Sequence, residues 1–318
     1  MMQSATLDPI VLFFLLGLGA GLLRADLRLP SAIYEFLSML LLITIGLKGG
    51  VELANQTLLV LLPQVTAVAF MGFALPLGIY PVLRHIGNFS RADSASVAAH
   101  YGSVSVGTYA AAVAYLALRN VPYEQHMAVL LVVLEMPAIV VGILLARGVN
   151  KNTRWRPMAR EILLGKSIVL LVGGLLIGWI AGSDGIKPIE GLFFDLFKGV
   201  LALFLLEMGL IAAGHMGWLR QHAFFLVVFG IATPLVTGTL GAVLAWQLGL
   251  SAGGTMLLAT LAASASYIAA PAAMRMAVPE ANPALSLATS LGVTFPFNIL
   301  VGIPLYYRIA EAIHHPGA

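Results

Sequence analysis

The sequence predicts an all-α integral membrane protein, its ten transmembrane helices forming two five-helix repeats of inverted topology. Three observations lead there. The 318-residue chain is 60% hydrophobic and only 10% charged, with a mean hydropathy of +0.96. A soluble domain carries roughly a quarter charged residues, so little of this chain can face water. Apolar stretches near the ~20 residues that a spanning helix needs recur along its whole length. Landmarks of the first half also return in the second at a nearly constant offset.

The apolar runs place spans at 9–23, 31–47, 57–83, 92–118, 125–148, 162–181, 191–213, 223–248, 253–274 and 283–307. The turn from Arg24 to Pro30 separates the first two. Gly46, Gly49 and Gly50 are expected to end the second, with Lys48 and Glu52 at its boundary. Pro63, Pro76 and Pro81 are expected to break the third, since proline lacks the amide that continues a helix. The fifth carries Glu135 and Pro137 in mid-span. The sixth contains Lys166, expected to snorkel to the interface, and the seventh Asp195, Lys198 and Glu207. Asp195 and Lys198, three apart, are placed to pair on one helix face.

Ile45-Gly46-Leu47 answers to Met208-Gly209-Leu210, and Ser103 and Ser105 to Ser264 and Ser266. Val121-Pro122 answers to Val278-Pro279, and Pro137 to Pro296. The offsets are 163, 161, 157 and 159 residues. Four landmarks at one spacing argue for duplication. Five spans are an odd number, so the second copy enters the membrane from the opposite side. The organisation is thus a first repeat at 1–148, a basic loop at 149–161 and a second repeat at 162–318. Orientation follows the basic residues. With the N-terminus outside, twelve lysines and arginines fall on the cytoplasmic side, among them Arg24, Arg28, Arg84, Arg91, Arg147, Lys151, Arg154, Arg156, Arg160, Lys166, Arg220 and Arg275. Five fall outside: Lys48, Arg119, Lys187, Lys198 and Arg308. Both termini are therefore expected outside a cell (inner) membrane, and the 149–161 loop in the cytoplasm.

Several functions are argued against. The chain has no cysteine, which removes disulfides, thiol chemistry and thiolate-bound metals. No Lys/Arg stripe is interleaved with aromatics, so nucleic acid is not an expected partner. No basic region precedes the first apolar run, so a cleaved signal peptide is not expected. There is no G-x-x-x-x-G-K-[ST] motif for ATP. No catalytic constellation is visible in local sequence, so an enzyme is not expected, and His314 and His315 stand without further metal ligands.

The functional signal lies in two interruptions. His100-Tyr101-Gly102-Ser103-Val104-Ser105-Val106-Gly107-Thr108 breaks the fourth span, and Leu261-Ala262-Ala263-Ser264-Ala265-Ser266-Tyr267 breaks the ninth. In lipid an unwound segment survives only where it lines a cavity or is buried in protein. Unwinding frees amides at the start of one half-helix, which suit a small anion, and carbonyls at the end of the other, which suit sodium. Small hydroxyl residues also serve plain helix contacts, but their recurrence at equivalent repeat positions favours a site. The candidates for substrate are Gly102, Ser103, Ser105, Gly107, Thr108, Ser264 and Ser266. Glu135, beside a proline that leaves a carbonyl unpaired, could hold a cation or carry a proton, or could simply be a protonated acid bonded to a neighbouring helix. His100 could titrate or donate to a carbonyl. Glu207, just before Gly209, reads as near a span's end.

Leu42 to Val51 (LITIGLKGGV), Gly102-Ser103-Val104-Ser105 with Thr108, Glu135-Met136-Pro137-Ala138 and Leu261 to Pro271 resemble the sodium-dependent bicarbonate transporters of the SbtA type. So do Arg275-Met276-Ala277-Val278-Pro279 and Ala281-Asn282-Pro283, and the resemblance covers nearly the whole chain. It implies helices four and nine crossing at mid-membrane in a core domain beside a gate domain, an elevator-type mechanism and a homotrimer. It also implies sodium symport of bicarbonate and a PII-like regulatory partner. Ser105 and Thr108 match hydroxyls that contact bicarbonate and sodium, and Ser264 and Ser266 match the second segment. The cation set it implies is Ser105, Thr108, Ala263, Ser264, Tyr267 and Glu135. Three positions depart from the pattern. Tyr267 stands where an aspartate is usual, Gly107 where a serine is, and Glu135 where an aspartate is common. The loop from Arg147 to Glu161 is also shorter than in the well-known members. No cofactor is implied. The expected function is secondary transport of a small monovalent anion, with bicarbonate first. Proton-coupled carriage of another small anion or carboxylate, a membrane sensor or scaffold, and an intramembrane hydrolase are the rivals.

Overall fold

In a computed structural model the chain is described at residues 9–27, 29–54, 58–148, 160, 163–222 and 224–315. The helices are α1 (Pro9–Leu22), α2 (Ser31–Leu53), α3 (Leu58–Pro81), α4 (Arg91–Gly102), α5 (Val106–Leu118) and α6 (Met127–Arg147). They continue as α7 (Lys166–Ile186), α8 (Phe197–His222), α9 (Phe224–Gln247), α10 (Ala252–Ala262), α11 (Ala269–Ala277) and α12 (Pro283–His314). Two π-helical turns, Ser290–Thr294 and Asn298–Gly302, lie within α12. Among the described residues, eight helical stretches are long and apolar enough to cross a membrane, with α4 and α5 counted together as one, and α1 and α10 are shorter apolar helices. Phe70, Phe73 and Leu77 on α3, Ile177 and Ile180 on α7, and Val236, Leu240 and Trp246 on α9 expose their apolar side chains. Such a belt suits lipid, not water. This is a multi-pass integral membrane protein.

The helices sort by their contacts. α1 packs along α8 and α2 along α7, whereas α3, α4 and α6 pack together, as do α9, α10 and α12. Glycine sets the first two pairings. A methyl at Gly46 would strike the Leu171 carbonyl, and one at Gly50 the Leu175 carbonyl. Likewise Gly17 meets the backbone of Leu206, and Gly21 that of Leu210 and the side chain of Ala213. Ascending residues meet ascending residues in both cases, so each pair runs parallel. Close backbone approach through small residues is how membrane helices associate without a hydrophobic driving force. Gly102 against Ala138 and Gly142 against Ala99 show α4 and α6 running antiparallel.

Four local expectations are corrected here. α2 runs through Gly46, Gly49 and Gly50 to Leu53, because those glycines admit α7 and Ala128 rather than ending the helix. α3 continues through Pro63 and Pro76 and gives way at Pro81 to a π-helical turn, Val82–Ile86; Pro76 packs on Gly102 and so helps wall the first break. α8 is likewise unbroken at Gly209, which lies against the backbone of Phe14 and Leu18. Glu207 is thus mid-helix, and its Oε2 accepts the Leu29 amide at 3.2 Å. Asp195 ends a π-helical turn, Gly191–Asp195, ahead of α8, and it forms no ion pair with Lys198 among the described residues. Among the described residues the ion pairs are Lys166–Glu35 at 2.9 Å and Lys187–Asp184 at 2.7 Å. Lys166 therefore keeps a partly exposed head, but that head is paired. Of the basic loop 149–161 only Arg160 falls within the described residues, and Arg28 lies outside them.

The starts of the two broken spans are built alike. Ser90 caps α4 by accepting the Asp93 amide at 3.0 Å, and Ser251, 161 residues on, caps α10 by accepting the Gly254 amide at 3.1 Å. Each start is also held by the loop that follows the other broken span. Glu124 accepts the Ser251 amide at 2.7 Å, and Asp93 accepts the Asn282 amide at 2.7 Å.

Candidate functional site

Both predicted breaks are present. α4 ends at Gly102 and α5 begins at Val106, with Ser103 extended at φ −92° and ψ −177°. α10 ends at Ala262 and α11 begins at Ala269. The breaks meet. The Ser105 amide donates to Ser264 Oγ at 2.9 Å, and the Ser266 amide donates to the His100 carbonyl at 2.7 Å. Unwound backbone in one span is thus satisfied by the other, which is what buried irregular chain requires.

Around this junction the hydroxyls are fully buried: Ser103, Ser105, Thr108, Ser264 and Ser266 each expose 2% or less. Ser105 is the N-cap of α5, its Oγ accepting from the Thr108 amide at 3.1 Å and the Thr108 hydroxyl at 2.8 Å. A serine here satisfies an orphan amide of the first turn. Ser103 Oγ donates to the Glu135 carbonyl at 3.2 Å, and Ser264 Oγ to the Leu261 carbonyl at 2.8 Å. Ser266 Oγ accepts the Ala270 amide at 3.2 Å, within the first turn of α11. The anion candidates are therefore brought together, with Gly102 wedged between Pro76 and Ala138 and Gly107 beneath Tyr267 and Phe204.

Of the cation candidates, Ser105, Thr108 and Ser264 share this junction. The Ala263 carbonyl is already accepting, from Asn298 Nδ2 at 2.8 Å. Tyr267 and Glu135 are buried, and the Tyr267 hydroxyl and Glu135 Oε2 have no hydrogen-bond partner among the described residues. Buried polar atoms left unpaired in a native fold need a reason. His100 donates through Nδ1 to the Ser96 carbonyl at 2.7 Å, since a carbonyl can only accept, and its Nε2 is unpartnered. His314 Nε2 bonds Thr255 Oγ1 at 2.9 Å, and no cluster of three or more His, Asp or Glu suited to a metal occurs among the described residues.

Sequence reasoning missed the support that α12 gives. Asn298 holds Ala263 at the end of α10, and the Tyr306 hydroxyl donates to Asn298 Oδ1 at 3.1 Å. Thr294 donates to the Gly230 carbonyl at 2.7 Å, so the Tyr101 hydroxyl must donate to Thr294, at 2.5 Å. Both Thr294 and Asn298 belong to π-helical turns, a distortion that often marks functional segments. A fully buried asparagine in an apolar span was the available signal. A cavity of about 350 Å³ also reaches the second break, lined by Ile268, Ala269, Ala273, Ile139, Ser167 and Lys166.

With two breaks meeting at a buried hydroxyl cluster, the family comparison decides the class: residues 9–311 match the model of the Na+-dependent bicarbonate transporter superfamily. The chain belongs to that superfamily. Among curated proteins none matches it. As a superfamily member this multi-pass protein is a transporter, and sodium, bicarbonate and the bilayer are the chemistry against which the junction of the two breaks is read.

Proposed function

We propose that the protein is a secondary active transporter that carries bicarbonate, or a closely similar monovalent anion, together with sodium by an elevator-type movement. The observation that carries this reading is the junction of the two breaks, Ser105 with Ser264 and Ser266 with His100. The amides that open α5 and α11, with the positive ends of their dipoles, suit the anion. Gly102, Ser103, Ser105, Gly107, Thr108, Ser264 and Ser266 surround it. Sodium is placed among the Ser105, Thr108 and Ser264 oxygens, the Ala263 carbonyl, Tyr267 and Glu135. These are the hard oxygen donors that such a cation needs.

The ten-span inverted repeat is part of the same proposal. The parallel pairs α1 with α8 and α2 with α7 exchange under a shift of five spans, and the reciprocal caps at Ser90 and Ser251 support the same relation. α1, α2, α7 and α8 would form the gate, and α3–α6 with α9–α12 the moving core. Both termini lie outside the cell in this arrangement, the 149–161 loop is cytoplasmic, and three chains assemble as a homotrimer. A PII-like partner would bind on the cytoplasmic face.

Uptake of labelled bicarbonate into proteoliposomes, with sodium against choline outside, tests the proposal. Sodium-stimulated accumulation is expected, and equal uptake with and without sodium removes the symport. A second reading, coupling to protons, is favoured by the unpartnered carboxyl oxygen of Glu135 at the first break. Uptake that follows a pH gradient and ignores sodium selects it.

A further inference from the structure

The Tyr267 phenol has no role in the packing that its hydroxyl serves. Its ring sits edge-on to Phe295, with centroids 5.6 Å apart, and the side chain is nine-tenths buried. The hydroxyl lies close to Ser105 and the Gly107 amide, but neither meets it in hydrogen-bond geometry among the described residues. Room for it exists because residue 107 is glycine: a methyl there would collide with the Tyr267 oxygen and with the Phe204 ring. A phenol buried for apolar reasons alone would be a phenylalanine, since an unpaired hydroxyl carries a desolvation cost. Ser105 Oγ already accepts the Thr108 amide and the Thr108 hydroxyl, so both of its lone pairs are taken, and Thr108 makes no hydrogen bond to the phenol among the described residues.

We infer that the Tyr267 hydroxyl, its oxygen lone pairs left open to sodium, donates its proton directly to the transported anion, which lies between it and the first turn of α5. This makes Tyr267 a specificity-determining residue. It rests on the reading of the two breaks as an anion site. A phenol is a neutral donor, so it recognises an oxyanion without demanding a counter-charge, and it clasps the anion from α11's side while the Gly107 amide does so from α5. The ligand chemistry that fits is a small planar oxyanion presenting an acceptor oxygen to each side. Bicarbonate, formate and nitrate all meet that requirement.

Tyr267→Phe tests it, because the change removes one oxygen and leaves the Phe295 contact. Two measurements are made on full-length protein: uptake kinetics in proteoliposomes, and the rise in melting temperature of detergent-solubilised protein with bicarbonate, formate and nitrate. The expected result is a KM about tenfold or more higher, as befits loss of a hydrogen bond to a charged group. Vmax should stay within about twofold, and the anion-dependent rise in melting temperature should shrink while the anion-free value holds. Gly107→Ala should displace the phenol and raise KM similarly, and the double variant should be no worse than the poorer single one, because both changes delete the same contact. An unchanged KM and an unchanged anion-induced stabilisation in Tyr267→Phe would overturn the inference. Wild-type protein that is stabilised by an anion but takes up no bicarbonate would instead overturn the transport reading alone, with Tyr267 still judged by the melting data.

Discussion

At the first break three residues separate the half-helices and Ser105, the N-cap itself, caps α5; at the second, six residues separate them, the N-cap Ile268 makes no side-chain bond, and Ser266 two residues earlier accepts the Ala270 amide instead. The first is pinned by its own hydroxyl, Ser103 donating to the Glu135 carbonyl. The second is pinned from outside, by the Asn298 amide on the Ala263 carbonyl. In α6 the supporting residue contributes only backbone and leaves Oε2 of its carboxyl unpaired, whereas in α12 the supporting side chain is bonded at both its nitrogen and its oxygen. The 350 Å³ cavity reaches the second break. The two breaks are thus built differently: a tight one capped by Ser105 beside a spare carboxyl, and a longer one held in shape by α12.

The comparison breaks most severely at Asn298. Asn298→Leu would orphan the Ala263 carbonyl and the Tyr306 hydroxyl together, and at roughly 1–3 kcal/mol per buried unpaired group the protein should lose about 3 kcal/mol. Equilibrium unfolding in mixed micelles measures this, and a loss below about 1 kcal/mol would mean that the second break is not held from α12. Ser105→Ala comes next. It removes an N-cap worth about 1 kcal/mol and the acceptor for the Thr108 hydroxyl, and uptake should fall at least about tenfold; wild-type rates would detach the first break from transport. Ser266→Ala deletes only a 3.2 Å bond to Ala270, so its effect on unfolding should stay under about 1 kcal/mol. An effect larger than that of Ser105→Ala would reverse the ranking of the two halves. Glu135→Gln should move stability least, because that oxygen bonds nothing. Its consequence belongs to coupling: uptake should lose its dependence on the sodium or proton gradient, and retained dependence would place the coupling ion elsewhere.

Much of this was legible in the sequence. Small, hydroxyl-bearing interruptions in apolar spans gave both breaks to within a few residues, because a bilayer permits unwound backbone only where protein or cavity covers it. Gly46 and Gly209 were read as places where helices stop. Glycine lowers helix propensity, but in a membrane close packing overrides propensity, and both positions turned out to be points of contact with a parallel neighbour. Pro63 and Pro76 misled for the same reason, since neighbouring helices support a helix that would break in water. Asn298 carried no spacing signal, and its importance arises only when the chain brings α12 against Ala263, 35 residues earlier. The Gly107–Tyr267 pair was visible as two unusual residues, but that one makes room for the other is a property of the crossing alone.

The central claim is that the two breaks form one site. A double-mutant cycle with Ser105→Ala and Ser264→Ala, read as apparent affinity for bicarbonate in proteoliposomes, addresses it most directly. If both breaks hold the same anion, the two changes should be coupled by about 1 kcal/mol or more; effects that add to within about 0.5 kcal/mol would contradict a shared site.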